Sequence, residues 1–313
     1  MPLRVGYVRE HFSSPLLQFA EQDGEQTFSL VECPSGTGQL IARLTNDEID
    51  VAIALTDPLI SGIAGGSKAY KLVGSFVSTP LNWAVITGTN SKYNSIEDLK
   101  GTTIGISRYG SGSYTMAYVM ALQQGWPTED LNFIAASNAI SEGRLSVNND
   151  IRGLIDSVND GSTSAFMWEW FTTKPFVDAG EARFIGSVPT PWPSWLIAAH
   201  PERAQAKDLS AFLDGLTKFV NEFNSPDARA TKNIPFIESK FGYQKADIEA
   251  SISGVYLPMA WLKTVSYPKN CSEIPASVIT DTLSVLEKAG VVTRPENGFD
   301  IDTFVNRNVV KLT

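Results

Sequence analysis

Residues 95–126 read SIEDLKGTTIGISRYGSGSYTMAYVMALQQGW. The apolar run Thr103-Ile104-Gly105-Ile106 has the look of a buried strand, and the stretch from Tyr114 onward is amphipathic. Between them lies SRYGSGS, a serine- and glycine-lined helix entrance. Upstream, Ser95-Ile-Glu-Asp98 resembles a capping box for a short helix that Gly101 ends. Gly110-Ser111-Gly112 supplies two glycines of the dinucleotide fingerprint, but the third position is Thr115, and no Gly-Lys-Ser/Thr follows. Two readings remain. Free backbone N–H groups and the positive end of a helix dipole favour a small anion, or the segment is a tight turn with a serine cap.

The same strand–loop–helix theme runs through the residues before it. Leu3–Val8 reads as a strand, Arg9–Ser14 as a polar turn, and Pro15 sits well at the first helical position. Thr27–Glu32 is a second strand, followed by Pro34-Ser-Gly-Thr-Gly38 and the helix QLIARLTND. Ile49–Leu55 is a continuous apolar run, as in a strand buried on both faces, and Thr56-Asp57-Pro58 opens the next helix. Three such units predict a parallel α/β sheet. Further strands are expected at Lys71–Val77, Trp83–Thr87, residues 131–137, Ser164–Met167 and 182–186, with a helix around Asp150–Val158 and another over 172–180. PSGTGQLIARL and YGSGSYTMAYVM then occupy equivalent places in two successive units. VPTPWPSWLIAAH, residues 188–200, reads as a connector leading into an apolar strand, and the remainder as largely helical.

At 313 residues the chain suits about two lobes. A net charge of −9 and the absence of a Lys/Arg cluster argue against nucleic acid. No apolar run reaches the ~20 residues that span a bilayer. MPLRVGYVREHF enters strand-like sequence at once, without a basic-then-apolar leader, which predicts a cytoplasmic protein, or a periplasmic one if a leader was removed. Cys33 and Cys271 are far apart and only two histidines occur, so no zinc or iron site is expected. A reducing compartment fits the cysteines, and a single disulfide stays open.

The stretch 95–126 resembles the segment opening the second lobe of type II periplasmic-binding-protein-fold proteins. The similarity is to the alkanesulfonate/taurine/nitrate substrate-binding proteins and to the thiamine-pyrimidine-synthesis family. NDEIDVAIALTDPLISGIAGG, GSTSAFMWEWFTTK and SWLIAAHPERAQAKDLSAFLDGLTKFVNEF match in the same order. The resemblance implies an α/β, two-lobed fold, each lobe a mixed or parallel sheet flanked by helices, with two interlobe crossings. Residues 1–85 and 190–313 would form lobe 1, and 86–189 lobe 2, with the ligand between them. It also departs from the pyrimidine synthases: Ala52–Leu59 holds neither their lysine nor their histidine, and TPWPSWLIAA holds no cysteine. A cytosolic, fungal-type branch of the fold is the better match.

Open parallel sheets bind ligands at the carboxyl ends of their strands. That rule selects His11, Phe12 and Ser13, then Thr37 and Gly38, then Thr56 and Asp57. It also selects Arg108 with Ser111, Gly112, Ser113 and Tyr114, and Trp168 with Glu169. Asn82 and Trp195 join them beside the crossings. Arg108 is the candidate clamp for a carboxylate or sulfonate, against a solvated surface arginine. Ser111 and Ser113 are ligand donors or helix caps. Trp168 and Trp195 stack on a planar ligand or pack in the core. His11 is a hydrogen-bonding contact or a structural polar group, and Asp57 and Glu169 recognise an amine or cap a helix.

Two functions follow. One is a non-catalytic binding protein for a small, anionic or heteroaromatic organic ligand, with no catalytic residue, metal or other cofactor. The alternative is an enzyme of the same fold in vitamin or quinone-precursor biosynthesis, using His11 with Asp57 or Glu169 as acid and base. The expected partner is a small molecule, not nucleic acid or a membrane. A membrane transporter enters only if the chain is exported.

Overall fold

The computed structural model describes residues 2–109, 111–128, 131–135, 151–245, 248 and 266–313. Gly110, Asp150 and the last two residues of the strand expected at 131–137 lie outside them. The chain divides into two compact units: Met1–Pro80 with Trp192–Ser284 and Val292–Thr313, and Leu81–Pro191 with Val285–Val291.

The first unit is built on five strands, numbered here in chain order. β1 (Leu3–Tyr7), β2 (Phe28–Glu32), β3 (Val51–Leu55) and β4 (Lys71–Val77) are joined by β10 (Trp195–Ala199) in the order β2-β1-β3-β10-β4. β1 pairs parallel with β2 and β3, whereas β10 runs antiparallel to both β3 and β4. The sheet is therefore mixed: β1 to β4, the strands of the N-terminal units, run parallel to one another, and β10 is the antiparallel member. The cause is the point of re-entry. Trp195 lies opposite Leu55 and Val77, where β3 and β4 end, so β10 must run back down the sheet. Every residue of β10 is buried, as an apolar WLIAA run between two strands requires.

Helix α1 (Ser14–Asp23) has Pro15 in its first turn and ends on Gly24 at φ +59°, the left-handed conformation glycine adopts without strain. α2 (Thr37–Thr45) follows β2 and α3 (Thr56–Ala64) follows β3. Thr37 and Gly38 thus belong to a helical turn rather than to the loop expected there. α7 (Ala206–Asn224) buries Leu209, Phe212, Leu213, Leu216, Val220 and Phe223, a three-to-four-residue spacing that makes one apolar stripe. The stripe packs on α1. The Phe19 ring centroid lies 6.1 Å from that of Phe212 and 4.9 Å from that of Phe219, and Phe19 occupies the space a Cβ on Gly215 would need. Among the described residues of the C-terminal part, β11 (Glu273–Ile274) and β12 (Lys311–Leu312) form a parallel pair, and Val305 bridges Leu72 of β4.

The second unit repeats the plan. β5 (Asn82–Thr87), β6 (Thr103–Ile106), β7 (Asn132–Ala135), β8 (Ala165–Glu169) and β9 (Arg183–Pro189) run in the order β7-β6-β8-β5-β9. β6 is parallel to β7 and β8, and β5 is antiparallel to β8 and β9. α4 (Gly112–Gln124) follows β6, α5 (Ile151–Asn159) precedes β8, and α6 (Trp170–Asp178) follows it. Trp168 and Glu169 close β8 instead of lying beyond it, and the connector expected from Val188 begins inside β9.

Strand for strand, β6 corresponds to β1, β7 to β2, β8 to β3, β5 to β10 and β9 to β4. This corrects the equivalence read from the sequence. The loop entering α4 corresponds to Val8–Ser13 after β1, not to Pro34–Gly38, which follows the edge strand β2. No helix among the described residues is long and apolar enough to cross a membrane.

Candidate functional site

In the second unit, β6 and β8 end at the edge where β5 begins, because Trp83 lies opposite Glu169. Arg108, Ser111–Tyr114, Asn82, Trp168 and Glu169 therefore gather at one end of this sheet. Ser111 is the N-cap of α4: its Oγ accepts from the Tyr114 N–H at 3.3 Å, and its carbonyl accepts from the Thr115 N–H at 3.0 Å. Ser113 Oγ accepts from the Ser107 N–H at 3.0 Å and lies 2.9 Å from Ser111 Oγ and 3.3 Å from Ser107 Oγ. Ser111 is thus the cap, whereas Ser113, inside the first turn of α4, ties the end of β6 to the helix through the Ser107 N–H. Three hydroxyls linked by two contacts still leave one O–H over, on Ser111 or Ser107 according to the direction of the chain.

The N–H groups of Gly112 and Ser113 have no acceptor among the described residues, as befits the first positions of a helix. Arg108 is half-buried, and its guanidinium has no hydrogen-bond or ion-pair partner among them. Burial lowers its pKa from the ordinary arginine value, and no carboxylate among the described residues opposes that shift. Next to it Tyr109 is 61% exposed and starts a ladder of edge-to-face rings, with centroids 5.6 Å to Tyr114 and 5.1 Å from there to Tyr118.

Glu169 is a cap. Its carboxylate accepts from the Phe171 N–H at 3.0 Å, and from the Thr172 N–H at 2.9 Å and hydroxyl at 3.2 Å. Burial nevertheless outweighs those bonds and pushes its pKa up to about 7. Trp168, one step away along β8, points to the opposite face of the sheet and is half-buried. The sequence grouped these two neighbours, and the strand separates them. Asn82 opens β5 opposite Pro189.

The first unit gathers the other candidates at the corresponding end of its sheet. His11–Ser13 form a short 3-10 turn after β1, and all three are buried. Ser13 Oγ donates to the Val8 carbonyl at 2.7 Å, a turn-closing bond. His11 is fully buried, which drives its pKa well below the usual histidine range. Its ring meets Phe12 edge-on at 4.6 Å, and Phe12 in turn lies 4.6 Å from Trp195. Thr37 Oγ1 accepts from the Leu55 N–H at 3.1 Å. Thr56 donates its N–H to the Ser194 carbonyl at 3.0 Å and its hydroxyl to Pro193 at 2.5 Å, tying α3 to the entry of β10. Asp57 is buried in the first turn of α3. Gly38 lies inside α2. Thr37, Thr56 and Ser13 are thus engaged in holding strand ends to helices.

Sequence reasoning missed Ser107, the third hydroxyl of the α4 entrance, although it lies in the decisive stretch. It also missed Trp83. Trp83 and Trp195 are 6% and 3% exposed, and the indole N–H of each has no acceptor among the described residues. The signal for Ser107 was proximity; for Trp83 there was none without the sheet order. Among the described residues no group of three His, Cys, Asp or Glu side chains converges, and Cys33 and Cys271 are separate buried thiols.

Residues 83–188 match the family model described as Ca3427-like PBP. The whole chain superposes on the Candida albicans CA3427 gene product, which defines a family with the generic periplasmic binding protein fold. The match has 29% identity over 100% of this chain and 98% of that one, at a TM-score of 0.82. The alkanesulfonate-binding protein SsuA of Xanthomonas axonopodis pv. citri, bound to MOPS, matches at 17% identity over 96% and 97% of the two chains, TM-score 0.71. The periplasmic nitrate-binding protein NrtA of Synechocystis PCC 6803 matches at 12% identity over 98% and 86%, TM-score 0.70. No curated protein matches the sequence. The chain thus has the periplasmic-binding-protein fold, with sulfonate- and nitrate-binding proteins among its structural neighbours.

Proposed function

We propose that this chain is a non-catalytic binding protein for a small organic anion, and that the entrance to α4 holds the anionic group. The observation that carries the reading is Arg108: a half-buried guanidinium that, among the described residues, has no carboxylate beside it, next to two helix N–H groups without acceptors there. A cation taken partly out of water without a partner is unfavourable, and a bound carboxylate or sulfonate supplies the missing charge bidentately. The helix dipole adds to this in the same direction. The Tyr109–Tyr114 pair offers an apolar flank for the rest of the ligand. The fold neighbours that bind an alkanesulfonate or nitrate support an anion rather than a cation.

The enzyme alternative relies on His11 with Asp57 or Glu169. Full burial leaves His11 a weak base, and the Glu169 carboxylate is engaged by the Phe171 and Thr172 N–H groups at the start of α6, so the geometry favours binding over an acid–base pair. The test is isothermal titration calorimetry with propane-1-sulfonate, MOPS, sulfate and acetate, with each mixture then assayed for chemical change. Binding of at least one anion without turnover is the expected result. Binding of none, or conversion of the bound molecule, would overturn the reading.

A further inference from the structure

The structure assigns Trp83 as a hydrogen-bond donor to the same anion, through its indole N–H; this rests on the reading of the α4 entrance given above. A buried N–H without an acceptor carries its full desolvation penalty, about 1–3 kcal/mol, and is rare enough to call for a reason. Among the described residues the Trp83 N–H has no acceptor, although nine-tenths of the residue is buried.

Its direction follows from the sheet. Leu154 of α5 lies 3.3 Å from where a Cβ on Gly105 would project, so the Gly105 face is the α5 face. Phe166 is the register partner of Gly105, and Ile86 is opposite Phe166, so both share that face. Trp83 and Glu169 are an odd number of residues away and point to the other side. Helices on successive right-handed crossovers β6–α4–β7 and β7–α5–β8 fall on opposite faces when the second crossover reverses direction across the sheet, which places α4 over Trp83. Trp83 also stands at the strand end where α4 begins.

The first unit supplies an internal comparison. Trp195 has the equivalent position: it stands at the start of the antiparallel strand, opposite Leu55 at the N-cap position of α3, as Trp83, second in β5, stands opposite Glu169 at the N-cap of α6. There the Trp195 ring lies 4.6 Å from Phe12, in the loop after the central strand. The corresponding loop in the second unit is Arg108–Ser113. Trp195 too has a buried indole N–H without an acceptor among the described residues. The same unsatisfied donor at the same place in two sheets is the mark of a group kept for an acceptor that arrives with a ligand. The anion therefore has at least two acceptor oxygens, one set meeting Gly112, Ser113 and Arg108, the other meeting Trp83.

The experiment titrates propane-1-sulfonate, MOPS, sulfate and acetate into the wild-type chain and Trp83→Phe. A second variant carries benzothienylalanine at position 83, which keeps the bicyclic shape and lacks only the N–H. The expected result is a loss of about tenfold or more in affinity in both variants, with the melting temperature of the free benzothienyl variant unchanged because no bond was made there. In 15N-labelled wild-type protein the Trp83 indole resonance, assigned by its absence in the Phe variant, shifts on saturation. An anion that binds the benzothienyl variant as tightly as wild type and leaves that resonance in place overturns the role of Trp83 while the anion site stands. Binding of none of the four anions to wild type overturns both.

Discussion

Replacing Arg108 by methionine separates a ligand-binding arginine from a structural one, because the two roles predict opposite effects on the free protein. Methionine keeps the apolar stem that a half-buried arginine packs and deletes the guanidinium. No ion pair or hydrogen bond to that group exists among the described residues, so nothing native is broken. The free variant should unfold within about 0.5 kcal/mol of wild type, or be more stable, since an uncompensated desolvated charge has gone. Binding should change much more. Hydrogen bonds to charged groups contribute about 1.5–3 kcal/mol each, so losing the guanidinium weakens an anion roughly ten- to 100-fold. Raising the salt concentration should narrow that gap, although a half-buried charge is screened less than an exposed one. Thermal denaturation and calorimetry with propane-1-sulfonate read both numbers. A variant destabilised by more than about 1 kcal/mol, with affinity intact, would show Arg108 to be part of the scaffold and refute the reasoning.

Gly112→Val should weaken the same probe more than Ser111→Ala or Ser113→Ala, because the anion meets the backbone N–H groups rather than the hydroxyls committed to the Ser107–Ser113–Ser111 chain; calorimetry on the three variants checks the order. The raised pKa of Glu169 sets a pH dependence. Its folded value of about 7 exceeds the ordinary glutamate value of 4.5, so the unfolded chain releases the proton first, and its contribution to stability falls as pH rises from about 4.5 to about 7. Glu169→Gln should flatten that fall, and parallel wild-type and variant stability curves across the window would contradict it. Asp50 works the other way: burial opposes its charge, but hydrogen bonds from the Arg4 side chain and backbone outweigh it and lower its pKa. Asp50→Asn, which leaves Arg4 and Arg203 without that carboxylate, should cost about 2 kcal/mol near neutral pH in urea denaturation, less as pH falls through the carboxylate range. Gly215→Ala should destabilise the α1–α7 contact by about 1–3 kcal/mol, since the Phe19 ring fills the space for the new methyl; a thermal melt identical to wild type would show that the ring moves freely aside.

The strands were legible because each is a short apolar run between turn residues, and IDVAIAL and WLIAA announce burial on both faces in composition alone. Their direction was not. Whether WLIAA runs with or against IDVAIAL depends on which edge of the sheet the chain re-enters, and that is set by a connection of more than a hundred residues. The equivalence of loops failed for the same cause: strand order is a property of pairing, so the partner of YGSGSY is the turn after β1 rather than the more similar-looking PSGTG. At the candidate site, the residue types at the strand ends could be read from the sequence, but their engagements could not. Ser13, Thr37 and Thr56 have the same chemistry as a ligand donor, and only the coordinates show them bonded to Val8, Pro193, Ser194 and the Leu55 N–H. Arg108 and Trp83 matter because of what they lack nearby, and an absent partner leaves no trace in a linear sequence.

The central claim is that the α4 entrance holds an organic anion. Native mass spectrometry of the protein as purified from its cells, followed by release and identification of what it retains, tests that most directly when wild type and Arg108→Met are run side by side. The account predicts one anionic small molecule per wild-type chain, depleted in the variant. A neutral or cationic molecule, an anion retained equally by both proteins, or no retained molecule together with no binding of the four probe anions, would contradict it.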